Sequence, residues 1–132
     1  LQVSAIKGCP IMNRFVLLAA VLAGGMLVPE WAQAHAHLTA ASPAVDSTVA
    51  TAPSEVTIIY TEGVEPKFSS IEVRNAAGAR VDTGPVHTAP DDNKRLSVAL
   101  TPLPSGLYHV TWHATAVDTH KTEGSFAFTV AP

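Results

Sequence analysis

The stretch Leu107-Tyr-His-Val-Thr-Trp-His-Ala-Thr-Ala-Val117 decides the fold. Tyr108, Val110, Trp112, Ala114 and Ala116 share one parity, and His109, Thr111, His113 and Thr115 share the other. A period of two describes a strand with one face in a core and one in water. Downstream, Ser125 to Val130 repeats the pattern with Phe126, Phe128 and Val130 inward. Upstream, Leu38 to Ser42, the β-branched run Val56 to Thr61, Phe68 to Arg74 and Arg95 to Leu100 read as further strands. Pro43, Gly63 with Pro66, Asn75 to Gly78 and Pro102 to Gly106 punctuate them, and Thr83 to Asp92 reads as a polar loop. No helix-period segment of useful length follows residue 34, so the pattern predicts an all-β sandwich or barrel.

The chain has 132 residues, which suits one folded domain, and a formal charge of −3. Without a basic patch to neutralise phosphates, nucleic acid is excluded as a partner. The single cysteine, Cys9, lies outside the strand-bearing part, which must therefore be held by packing alone.

The first 34 residues have another character. Asn13 and Arg14 follow Met12, an apolar run extends from Phe15 to Val28, and Ala32-Gln33-Ala34 has the A-x-A form of a signal-peptidase site. The run is short for a membrane anchor, which needs about 20 apolar residues. Residues 12–34 are read as an export signal, residues 1–11 as lying upstream of the true start, and residues 35–132 as the domain. Cleavage after Ala34 would make His35 the first residue. A second A-x-A, Ala34-His35-Ala36, would expose His37 instead.

An amino-terminal histidine carries two nitrogen donors, its α-amine and its ring Nδ1. Past the central strand stands Asp118-Thr119-His120, whose outer residues project to one side of an extended segment. Alone, this D-x-H triplet is an ordinary loop. With His35 added, three nitrogens and one oxygen become available, a set that suits tetragonal Cu(II). A local alternative is His35-Ala36-His37, whose amine, amides and third-position imidazole could wrap a cupric ion and make His37 a ligand. His109 and His113 fall on the polar face and His87 in the loop, positions of surface hydrogen bonding.

The segments HAHLTAASPAVDSTV, YTEGVEPKFS and LPSGLYHVTWHATAVDTHKTEGSFAFTV resemble the CopC family of periplasmic copper-resistance proteins over essentially the whole of residues 35–132. The resemblance implies a Greek-key β-barrel of immunoglobulin or cupredoxin-like type, Cu(II) held by His35, Asp118 and His120, and Glu62 orienting a ligand histidine from behind. It also implies a non-enzymatic monomer in the periplasm, serving copper sequestration, trafficking and resistance, with an inner-membrane CopD-like copper transporter as a candidate partner. One departure matters. Some members carry a methionine-rich loop for Cu(I), but here both methionines, Met12 and Met26, precede the domain. Soft thioethers are what Cu(I) selects, so Cu(II) alone is expected. Two other functions compete: a copper-dependent oxidative enzyme, and a metal-free sandwich module for assembly.

Overall fold

A computed structural model describes residues 36–132. Eight strands run through them: β1 (Leu38–Ser42), β2 (Thr48–Val49), β3 (Glu55–Tyr60), β4 (Ser70–Asn75), β5 (Asp82–Ala89), β6 (Asp92–Leu100), β7 (Gly106–Thr115) and β8 (Lys121–Val130), with a 3-10 turn at Pro66–Phe68. They form two four-stranded sheets, ordered β1-β3-β6-β5 and β2-β8-β7-β4. The chain passes between sheets after β1, β2, β3, β4 and β6, setting β6 beside β3 and β7 beside β4, the Greek-key arrangement of sandwiches.

Alternation in the central strand is realised as expected. Tyr108, Val110, Trp112 and Ala114 are buried, while His109, Thr111 and His113 are exposed. β8 pairs with β7 along its whole length and directs Phe126, Phe128 and Val130 inward. Val56, Ile58 and Tyr60 of β3 and Leu96, Val98 and Leu100 of β6 meet them from the facing sheet. Tyr108 stacks on Phe128 with centroids 5.4 Å apart, and Tyr60 meets Trp112 edge-on at 5.2 Å, arrangements that add to simple burial. The Tyr108 hydroxyl donates to the Pro104 carbonyl at 2.6 Å, fixing the entry into β7 in the manner of a tyrosine corner.

One boundary and one buried position differ from the sequence reading. Thr83 to Asp92, read as a loop, is mostly β5 and the start of β6. β5 is an edge strand, so Pro85 leaves no sheet partner without its N–H, and its register on β6 is interrupted between Thr83 and His87 around Gly84 (φ 76°). Thr115 is buried although its parity is polar, because its hydroxyl donates to the Phe68 carbonyl at 2.8 Å.

The open side between edges β4 and β5 is closed by Asp82. Its Oδ1 accepts the Val73 N–H at 2.8 Å, and Arg80 grips the same carboxylate with Nη2–Oδ2 at 2.6 Å and Nε–Oδ1 at 3.2 Å. Burial alone would raise the carboxyl pKa, but the bonds from Arg80 and Val73 outweigh it and hold Asp82 below its ordinary value.

Candidate metal centre

The β7–β8 connection carries Asp118 and His120. The Thr119 N–H donates to the Ala116 carbonyl and the Ala116 N–H to the His120 carbonyl, both at 2.8 Å, closing a tight turn. Thr119 sits at φ 76°, a left-handed conformation that costs a β-branched residue about 1–3 kcal/mol. The turn is tied to the chain after β3 by the Val117 N–H, which donates to the Gly63 carbonyl at 3.0 Å, and by a bridge between Val64 and Ala116.

Within this turn the Asp118 and His120 side chains converge. His120 Nδ1 lies 3.2 Å from Asp118 Oδ2, and the His120 N–H donates to Asp118 Oδ1, also at 3.2 Å. Both side chains are open to solvent, His120 by 57% and Asp118 by 41%, so an ion could reach them without disturbing the core. Adjacent donors at right angles on a tetragonal ion, each bound at about 2.0–2.1 Å, stand about 2.8–3.0 Å apart. The spacing here thus needs only a slight contraction. Nitrogen and carboxylate oxygen together suit Cu(II) and Zn(II) better than Cu(I).

Two donors do not make a closed site. Among the described residues, no group of three or more His, Cys, Asp and Glu side chains converges. His35 lies outside the described residues, as do residues 1–34, which the sequence reading takes in part as an export signal. The chain next to His35 is placed, however. Ala36 is fully buried, and its carbonyl accepts the Thr122 hydroxyl at 2.6 Å. Thr122 stands two residues past His120. His37 is exposed; its N–H donates to Thr61 Oγ1 at 3.0 Å and its carbonyl accepts the Thr61 N–H at 2.9 Å. Residues 36 and 37 are therefore held at the same end of the sandwich as the Asp118–His120 turn.

Glu62 lies between Thr61, which holds His37, and Gly63, which holds Val117. It is half-buried. His87 pairs across to Ser97 on the other sheet, away from the turn, and His113 Nε2 meets Glu123 Oε1 at 3.4 Å on the outer face. The sequence reading did not single out Thr122. Its signal was present: Thr122 continues the inward parity of Gly124 and Phe126, where an unpartnered hydroxyl would be costly.

Residues 38–131 match the CopC domain. The chain belongs to the CopC family. Protein YobA of Escherichia coli K12 is 38% identical over 113 residues, covering 84% of this chain and 90% of that one. The crystal structure of CopC from Methylosinus trichosporium OB3b matches with a TM-score of 0.70 at 33% identity, over 74% of this chain and 95% of that one. PcoC, a methionine-rich copper resistance protein from Escherichia coli, matches with a TM-score of 0.65 at 31% identity, over 74% of this chain and 99% of that one. These neighbours bear out the all-β sandwich expected of a CopC chain.

Proposed function

We propose that this CopC chain is a periplasmic Cu(II)-binding protein of copper sequestration, trafficking and resistance. After removal of residues 1–34, the amine and Nδ1 of His35 share one cupric ion with Asp118 and His120. The observation that carries this reading is the bond from Thr122 to the Ala36 carbonyl, at 2.6 Å across 86 residues of sequence. It sets the residue next to His35 against the strand that follows His120. Consecutive Cα atoms are about 3.8 Å apart, so a histidine preceding Ala36 starts within side-chain reach of that turn. The names of family members support copper as the cargo.

The protein is read as a monomer that passes its ion to an inner-membrane CopD-like transporter. Glu62 is a candidate for steadying a ligand histidine once the ion is bound. Amine and imidazole donors must be deprotonated to bind, so uptake should fall on acidification from pH 8 to 5.

The test begins with mass spectrometry of the exported protein, which should start at His35. Equilibrium dialysis of that protein against Cu(II) should then show one ion per chain. Asp118→Ala and His120→Ala should each weaken binding by about 100-fold or more, since even indirect supporting groups are worth 10–100-fold. No stoichiometric uptake would favour a metal-free module, and peroxide-dependent cleavage of a polysaccharide would favour an oxidative enzyme.

A further inference from the structure

The dipeptide Ala36–His37 is tied to both sheets. Thr122 of β8 holds the Ala36 carbonyl at 2.6 Å, and Thr61, directly after β3, holds His37 by its N–H at 3.0 Å and its carbonyl at 2.9 Å. Ala36 between them is fully buried. These contacts bear on a choice of copper chemistry. A chain that begins His-Ala-His can bind Cu(II) without help from the rest of the protein, through its amine, the amide nitrogens of residues two and three, and the third imidazole. Each amide must then give up its proton and turn its nitrogen to the ion. Here the His37 amide proton is directed to Thr61, and wrapping an ion would draw Ala36 out of the core.

We propose that Thr61 and Thr122 are positioning residues that select the copper coordination mode. By pinning the Ala36–His37 peptide they withhold its one amide nitrogen, that of His37, from the ion, so the terminus binds copper only together with Asp118 and His120. This rests on the function proposed above. It adds that the two threonines, which touch no metal, decide which donors the ion receives. Both hydroxyls are needed, because one ties the peptide to each sheet.

The test uses the processed protein that begins at His35, with Cu(II) as the probe. Thr61→Ala/Thr122→Val is compared with the unsubstituted protein and with Thr61→Ser/Thr122→Ser, each with and without Asp118→Ala. In the unsubstituted protein, Asp118→Ala should shift the visible and electron paramagnetic resonance spectra and weaken binding by about 100-fold. The Ala/Val variant should absorb at shorter wavelength, as a four-nitrogen set does. Its affinity should change by less than about twofold on Asp118→Ala, a difference under 0.5 kcal/mol. The Ser variant should behave like the unsubstituted protein. Should the Ala/Val variant fail to fold, as judged by circular dichroism, Thr122→Val alone carries the comparison.

Retention by the Ala/Val variant of the unsubstituted spectrum and its dependence on Asp118 would overturn the inference. So would a Ser variant that behaves like Ala/Val. No copper uptake by the unsubstituted protein would refute the proposed function itself, and this inference with it.

Discussion

Gly124→Ala tests how tightly the core is built beneath the candidate site. Gly124 lies opposite Trp112 across the β7–β8 pair. A Cβ there would stand 2.6 Å from Trp112 Cζ2, 2.8 Å from Cε2 and 3.0 Å from Nε1. These are atoms of a rigid ring, and the ring cannot withdraw freely because its other side meets Tyr60, only 1% exposed. Forcing one carbon into such a core costs about 1–3 kcal/mol. The opposing gain from reduced unfolded-chain entropy, about 0.4–1 kcal/mol, does not offset the upper part of that range. A net loss of about 1–2 kcal/mol follows, or about 4–16 °C in Tm for a domain of this size. Thermal unfolding followed by fluorescence measures it. In a Trp112→Phe background, which removes the colliding atoms, the same substitution should cost less than half as much, a coupling visible in a double-mutant cycle. A Tm within about 2 °C of the parent, or an equal loss in both backgrounds, would refute the packing argument.

Other expected outcomes are more local. Burial pushes the Tyr60 phenol well above its ordinary pKa, and its hydroxyl has no hydrogen-bond partner among the described residues. Tyr60→Phe should therefore stabilise the fold by about 1 kcal/mol in urea unfolding, and a loss would contradict it. Asp82 is held below its ordinary carboxyl pKa, so its contribution is present above that value and disappears as pH falls through the lower, folded-state value. Asp82→Asn should cost about 1–2 kcal/mol at pH 7. The gap between parent and variant in pH-dependent melting should narrow in acid; a constant gap would count against the clasp. Acetylating the His35 amine of the processed protein should weaken Cu(II) binding by about 100-fold or more, since the α-amine is then lost as a donor. Isothermal titration would show it.

Much of the sandwich was legible because period-two alternation is a direct imprint of a sheet with one dry face. Tyr108, Val110 and Trp112 announced β7, and Phe126 and Phe128 announced β8. β5 was not legible, since an edge strand has one paired side and tolerates Gly84 and Pro85 that elsewhere signal a loop. Asp82 was equally hidden: nothing local to residues 80–82 says that a carboxylate will bridge to Val73. Asp118 and His120 could be read as a pair from their spacing. Their support could not, because the bonds from Thr122 to Ala36 and from Thr61 to His37 join residues far apart in the chain. The left-handed Thr119 is also unannounced, a β-branched residue where local preference favours glycine.

The place of β8 has a consequence for how the protein is made. This last strand lies between β7 and β2, carries Phe126, Phe128 and Val130 inward, and provides the hydroxyl that reaches back to Ala36. Until those ten residues arrive, the second sheet has a gap at its centre and the Ala36 carbonyl lacks the Thr122 hydroxyl that holds it. Such long-range closure folds slowly. Any process that delivers the chain from its amino-terminal end therefore leaves the second sheet incomplete until residues 121–130 have emerged.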